Sequence, residues 1–143
     1  MNGIIRAFKS AFKRKKEQGW EKIYVLVDIH DTIFKACYEN EETYEPFPWA
    51  VRTLQLMTKF PEFCLILWTS TYPDKIDDYL EKFKSWNISF DMINGNNEVS
   101  NTELSCFDYK PYFNVGIDDR FGFDPNEDWE ILYKYLILSE TYN

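Results

Sequence analysis

The chain has little of what a disulfide-bonded or membrane-spanning protein needs. Its three cysteines, Cys37, Cys64 and Cys106, are odd in number, widely separated and without the spacing of a zinc site. There is no run of about 18 apolar residues, and charged side chains stand in the first 19 residues, where a signal peptide would have its apolar segment. We therefore expect reduced thiols and a soluble, cytoplasmic protein with no stable membrane insertion.

Internal repeats and low-complexity linkers are also missing, which argues against several domains in 143 residues. What the sequence does contain is apolar surface for one core, since 45% of the residues are hydrophobic and 19% are aromatic. We expect one α/β domain over residues 20–143, preceded by an N-terminal arm over residues 1–19.

Charge is divided unevenly between these two parts. Residues 1–19 carry six basic side chains and one acidic side chain, a balance of +5, which leaves −13 for the other 124 residues because the net charge is −8. Residues 4–17 fit an amphipathic helix that could pack on the domain, engage a protein partner or an anionic surface, or simply be solvated. The acidic remainder would repel a nucleic-acid backbone unless a metal or the arm intervenes.

Two apolar runs without polar alternation, over residues 23–28 and 63–68, predict strands buried on both faces of a parallel sheet. Shorter strands are predicted over 88–93 and 112–117. Between them, helices are predicted from Pro48, from the capping box Thr71–Asp74 and from the start signal over 124–127. Residues 33–47, which contain Glu39–Glu42, fit a loop or short hairpin, and 94–110 show no firm pattern.

This alternation predicts a three-layer Rossmann-like domain with a mainly parallel sheet and no cap domain. The predicted strand order runs from 112–117 through 23–28 and 63–68 to 88–93. Ligands bind beyond the carboxyl ends of such strands, where Asp28, Thr69 and Asp118 each follow an apolar run. We therefore expect these three side chains to meet in one crevice.

The residue types in that crevice suit phosphoryl transfer. Two neighbouring carboxylates, Asp28 and Asp118, repel each other unless a hard cation such as Mg²⁺ lies between them. A free oxygen of Asp28 could attack phosphorus and form an acyl phosphate. Thr69 or Ser70 could hold a phosphate oxygen near the start of the following helix, and a lysine could neutralise the transferring group.

In order and spacing, four segments resemble the motifs of the haloacid dehalogenase-like phosphatase superfamily: Val27–Thr32, Leu67–Ser70, Lys110 and Gly116–Arg120. The resemblance spans residues 23 to about 136. It implies that Asp28 is the nucleophile and a Mg²⁺ ligand and that Thr69, with Ser70, binds phosphate. It also implies that Lys110 stabilises the phosphorylated intermediate, and that Asp118 and Asp119 complete the metal site.

One position departs from that pattern. The family usually has a second aspartate two residues after the nucleophile, which acts as general acid and base and gives its backbone carbonyl to the metal; here the residue is His30. The backbone carbonyl is present whatever the side chain, so His30 is kept among the predicted metal ligands. An imidazole, with an ordinary pKa of about 6.5, can also donate a proton near neutral pH, although a purely structural histidine is the alternative. Lys75, in the turn after Ser70, is the alternative to Lys110.

The expected function is a Mg²⁺-dependent phosphomonoester hydrolase that acts through an aspartyl-phosphate at Asp28. The insert after the first strand is too short for a cap, so the site should be open. By resemblance, capless members often act on phosphorylated macromolecules or nucleic-acid ends, and the run Asp118–Arg120 is also similar to that of deoxyribonucleotidases. The alternative, motivated by His30, is a weak or inactive member that serves as a binding or scaffold protein through its basic helix.

Overall fold

A four-stranded, all-parallel sheet forms the centre of the molecule, in a computed structural model that describes residues 1–36 and 44–142, with side chains described as far as residue 139. The strands are β1 (Ile23–Asp28), β2 (Phe63–Trp68), β3 (Met92–Ile93) and β4 (Val115–Ile117), in the order β3-β2-β1-β4. The predicted order and the α/β class are therefore confirmed, and the architecture is consistent with a three-layer Rossmann-like domain. Cys37 and the turn predicted at Glu39–Glu42 lie outside the described residues.

The helices that flank this sheet in the described residues are α1 (Gly3–Gln18), α2 (Ala50–Lys59), α3 (Pro73–Ser85) and α4 (Asp128–Tyr142). A short 3-10 helix, Asp119–Phe121, follows β4. None of the helices in the described part of the chain is long and apolar enough to cross a membrane. Cys64 is buried and Cys106 exposed, and both are free thiols.

The outer strands are shorter than the sequence predicts, because side chains take the place of backbone acceptors. Asp91 was expected inside the third strand, but its carboxylate accepts the N–H of Leu65 at 2.8 Å. Asn114, expected inside the fourth, accepts the N–H of Tyr24 at 2.8 Å through its side-chain oxygen. In each case a side-chain oxygen accepts the N–H that a backbone carbonyl would accept in a regular sheet, and the strand begins only after that residue. The strands predicted over 88–93 and 112–117 were therefore too long.

Two helix starts also differ from the prediction. Trp49 has a left-handed φ of 70°, so α2 begins at Ala50 and Pro48 lies in the preceding turn. Pro73 occupies the first position of α3, which makes Tyr72 rather than Thr71 the cap residue. The Thr71 hydroxyl instead lies 2.7 Å from the Thr69 hydroxyl.

The basic N-terminal helix packs on the domain through its apolar side. Asn2 caps α1 by accepting the N–H of Ile4 at 2.9 Å, and Gly19, at a left-handed φ of 69°, ends the helix. Phe8 is 0% exposed and meets the ring of Phe63 edge-on at 5.6 Å. Of the roles left open by the sequence, packing against the core is thus seen for the apolar face of α1.

We expect Phe8→Ala to lower the free energy of unfolding by about 3–5 kcal/mol, because it removes a fully buried ring next to β2. Chemical denaturation followed by circular dichroism measures this. Lys9→Ala, one residue away on the exposed side of α1, is the control and should change stability by less than about 0.5 kcal/mol. Equal stability of the two variants would mean that α1 lies outside the cooperative core.

A candidate metal and phosphate site

Three of the predicted metal ligands meet at the carboxyl edge of the sheet. The register pairs Leu26 with Gly116 and Val27 with Ile117, so the next residues along, Asp28 and Asp118, lie side by side. One carboxylate oxygen from each of Asp28, Asp118 and Asp119 lies within 4.8 Å of the others. Asp118 is 7% exposed, whereas Asp119 lies at the surface. The strand-end argument from the sequence therefore brings Asp28 and Asp118 together, and Asp119, which only the resemblance implied, lies with them.

The electrostatics of this cluster favour a bound cation. Burial raises the pKa of Asp28 to about 7, and the negative charge of Asp118 adds to that shift while the Thr32 hydroxyl opposes it. Burial also raises the pKa of Asp118, against the opposing hydrogen bond from the backbone N–H of Arg120 at 2.9 Å. Carboxylate oxygens at this spacing are the hard ligands that Mg²⁺ prefers, so the donor set fits that ion.

Thr32 is a member of the site that the sequence did not assign. Its fully buried hydroxyl lies 3.0 Å from Asp28 Oδ2 and 3.3 Å from Asp119 Oδ1, and it accepts the backbone N–H of Asp119 at 3.1 Å. Its carbonyl accepts the indole N–H of Trp129 at 2.8 Å. Thr32 therefore ties the end of β1 to the residues after β4. The sequence offered one signal, because Thr32 ends the first motif segment, Val27–Thr32, but no role was assigned to it.

A helical turn after β1 directs Thr32 back to the carboxylates. The backbone N–H groups of Ile33 and Phe34 donate to the carbonyl of Ile29 at 2.8 and 3.1 Å. Asp31 takes a left-handed φ of 58° in this turn, and its side chain accepts the N–H of Ala36 at 3.1 Å. An aspartate tolerates that conformation better than most residues. Asp31 thus shapes the turn that carries Thr32.

We expect Thr32→Val to weaken Mg²⁺ binding by about 10- to 100-fold, because it keeps the shape but removes the hydroxyl that orients Asp28 and Asp119. Isothermal titration with MgCl₂ measures the affinity. Thr32→Ser keeps the hydroxyl and is the matched control, so it should bind Mg²⁺ nearly as well as the wild type. An unchanged affinity of the valine variant for Mg²⁺ would show that the Thr32 hydroxyl does not support metal binding.

The predicted phosphate ligands follow β2 at the same edge. Thr69 comes directly after Trp68, which is the register partner of Asp28. The N–H of Thr69 donates to the side chain of Asn94 at 2.7 Å, and its hydroxyl accepts the N–H of Thr71 at 3.2 Å. Ser70 is exposed. Both hydroxyl residues thus follow the strand next to β1 at its carboxyl end, and their role in binding phosphate stays a prediction.

The side chain of His30 is engaged with α3. Its Nε2 lies 2.9 Å from the hydroxyl of Tyr79, and the two rings are perpendicular with centroids 5.5 Å apart. Burial lowers the pKa of His30, and the charge of Asp31 opposes that shift. The imidazole is therefore mainly neutral near pH 7. Proton transfer by His30 and metal binding through its carbonyl both stay predictions.

The two candidate lysines lie in different places. Lys110 is exposed and borders a surface depression with Cys106, Phe107 and Tyr112; in the described part of the chain it forms no ion pair with Asp28 or Asp118. Lys75 lies in the first turn of α3, just beyond the carboxyl end of β2. The structure thus does not join Lys110 to the carboxylates, and the choice between Lys110 and Lys75 stays open.

Comparison with protein-family models and with curated proteins found no match. Among solved structures, a conserved protein from Bacteroides thetaiotaomicron is 28% identical to this chain, with a TM-score of 0.63. The match covers 82% of this chain and 92% of that chain. The alignment covers most of both chains. This protein is therefore a structural neighbour of that conserved protein and shares its α/β fold.

Proposed function

We propose that this protein is a Mg²⁺-dependent phosphomonoester hydrolase of the haloacid dehalogenase-like superfamily, with Asp28 as its nucleophile. The observation that carries the proposal is the carboxylate cluster of Asp28, Asp118 and Asp119, whose oxygens lie within 4.8 Å at the carboxyl edge of a parallel sheet. The order of the four sequence motifs agrees with it, since each belongs to a segment that the superfamily uses at this edge.

The chain's own residues would divide the chemistry between them. The Thr32 hydroxyl donates to Asp28 Oδ2 and so orients the carboxylate, one oxygen of which would attack phosphorus. The ester P–O bond would then break, the leaving oxygen would take a proton from the His30 imidazole or from water, and an aspartyl-phosphate would remain on Asp28. Water attacks that phosphorus, releases inorganic phosphate and restores the carboxylate. A Mg²⁺ ion held by the three aspartates would neutralise the charge on the phosphoryl oxygens and keep Asp28 ionised.

Thr69 and Ser70 are proposed to hold the phosphoryl oxygens, and Lys110 or Lys75 to neutralise them. The position of α3 supports Lys75, whereas the motif order supports Lys110. Alanine variants of each separate them, because loss of the phosphate lysine should lower kcat/KM by about 10²-fold while loss of the other changes it little.

A second candidate function rests on His30. Its side chain contacts Tyr79 in α3, so the residue in the position of the usual general acid is already engaged within the fold. That contact favours a catalytically weak protein that binds a phosphorylated partner, with the exposed basic face of α1 as a further contact surface for a protein or an anionic surface.

Hydrolysis of p-nitrophenyl phosphate and of a panel of phosphorylated substrates, with and without Mg²⁺, tests the proposal. We expect Mg²⁺-dependent turnover from about pH 5 to pH 8. An absence of turnover on every substrate across that range would contradict the enzyme and favour the binding protein.

A further inference from the structure

A groove near the amino end of β1 is lined by four aromatic residues. It has a volume of about 610 Å³, which is within the range of small-molecule sites, ~300–1,000 Å³. Tyr24, the second residue of β1, lines it, and four residues of strand, roughly 13 Å, separate Tyr24 from Asp28. The aromatic residues are Trp20, Tyr24, Phe107 and Tyr112, and each is only partly buried. The groove is therefore distinct from the proposed phosphoryl-transfer site.

Three of these rings meet at right angles. Tyr24 and Phe107 each contact Tyr112 edge to face, with centroids 5.9 and 5.5 Å apart and interplanar angles of 85° and 84°. The face of an aromatic ring is electron-rich and attracts a cation. None of the cation–π pairs among the described residues involves the four rings of the groove. Within that part of the chain, no lysine or arginine therefore occupies their faces.

Hydrogen bonds hold two of the rings in place. Phe107 and Tyr112 belong to the segment between β3 and β4, residues 94–114, which forms no helix or strand. The side-chain oxygen of Asn101 accepts the backbone N–H of Phe107 at 2.6 Å, and the side chain of Asn96 donates to the carbonyl of Tyr112 at 2.9 Å. Rings that are fixed before a ligand arrives lower the entropic cost of binding it.

The charged residues of the groove give it a net negative charge. One oxygen of Glu98 accepts hydrogen bonds from the Lys22 ammonium at 2.7 Å and from the Tyr24 hydroxyl at 3.1 Å. The hydrogen bond from Lys22 lowers the pKa of Glu98, so this carboxylate is ionised at neutral pH. Glu21 also lines the groove, and two negative charges with one positive charge leave a balance of −1. The groove therefore attracts a cation and repels an anion.

We propose that this groove binds a small quaternary ammonium compound, with its trimethylammonium group against the aromatic rings. A primary ammonium ion needs several hydrogen-bond acceptors, whereas Glu98 already accepts from two donors and ring faces are poor acceptors. A trimethylammonium group donates no hydrogen bond, so it fits rings and a nearby negative charge. This inference does not depend on the proposed function, because the groove contains none of the residues proposed for phosphoryl transfer.

The test compares two probes of the same shape, choline and 3,3-dimethylbutan-1-ol, in which a carbon atom replaces the charged nitrogen. Each is titrated into the full chain at constant ionic strength. The indole N–H signal of Trp20, which the Trp20→Phe variant identifies, is followed by nuclear magnetic resonance. We expect choline to bind at least about fivefold more tightly than the alcohol, because only the cation is attracted to the ring faces. Equal affinity for the two probes, or no binding of choline, would overturn the inference.

Phe107→Leu keeps an apolar side chain in the groove but removes one ring. We expect it to weaken choline binding by about two- to fivefold and to leave the affinity for the alcohol nearly unchanged. Tyr109→Leu is the matched control, because Tyr109 is 97% exposed and does not line the groove. It should change neither affinity. An equal loss of both probes in Phe107→Leu, or an equal loss of choline in the two variants, would contradict a cation held by these rings.

Two further probes carry the same group on a larger body, namely vesicles of phosphatidylcholine and a peptide with one trimethyl-lysine. We expect neither to bind more tightly than free choline, because the groove alone makes the contact. Binding of either that is tenfold tighter than that of choline would show that the group is recognised as part of a membrane or of a protein. That result would overturn the assignment to a small molecule.

Discussion

Asp28→Asn is expected to reduce Mg²⁺-dependent phosphate release by at least about 10³-fold, because an amide cannot form the acyl phosphate. The substitution keeps the shape of a side chain at the end of β1 that is only partly exposed, so the fold should persist. Steady-state assays with p-nitrophenyl phosphate measure the loss, and circular dichroism checks the fold.

Asp31→Asn is the matched control for that experiment. It makes the same chemical change three residues away, at a position whose left-handed φ an asparagine also tolerates. Its amide oxygen can still accept the N–H of Ala36, so activity should stay within a few fold of the wild type. Full activity in Asp28→Asn, or an equal loss in both variants, would remove Asp28 from the role of nucleophile.

The same Asp28→Asn substitution should stabilise the metal-free protein at pH 8. Burial raises the pKa of Asp28 from 3.8 to about 7 in the native state, so between these values the native state holds a proton that the unfolded chain has released. The native state binds more protons in that window, and stability therefore falls as the pH rises through it. Asparagine does not ionise, so the stability of the variant does not fall in this way as the pH rises.

Thermal unfolding in EDTA at several pH values measures this effect. After discounting for the solvent that reaches Asp28, we expect the variant to gain on the order of 1–2 kcal/mol over the wild type above pH 7. Adding Mg²⁺ should increase the stability of the wild type. It should increase the stability of the variant much less, because the variant has lost one of the carboxylates that bind the ion. A wild type whose stability in EDTA does not depend on pH between 4 and 7 would contradict the buried, charge-repelled carboxylate.

The parallel sheet and the meeting of Asp28 with Asp118 could be predicted from the sequence because both depend on local patterns, whereas Asp119 was implied only by the resemblance. An apolar run without alternation indicates a strand that is buried on both faces, and Asp28 and Asp118 each follow such a run. Once the strands are parallel and adjacent, their carboxyl ends must meet. No side-chain detail is needed for that step.

The rest depends on contacts between residues distant in sequence. Asp91 and Asn114 shorten the outer strands by hydrogen-bonding to β2 and β1 through their side chains, which no local pattern reveals. Thr32 acts through Asp119, 87 residues away, and His30 meets Tyr79, 49 residues away. Residue types predicted which elements form, whereas the partner of each polar side chain required the folded chain.

A crystal structure with Mg²⁺ and beryllofluoride, which imitates a phosphoryl group on a carboxylate, tests the central claim most directly. We predict beryllofluoride bonded to an oxygen of Asp28 and a Mg²⁺ ion coordinated by Asp28 and Asp118, with Thr69 against the fluorines. Beryllofluoride on any other residue, or a Mg²⁺ ion bound away from these aspartates, would contradict the proposed phosphoryl-transfer site.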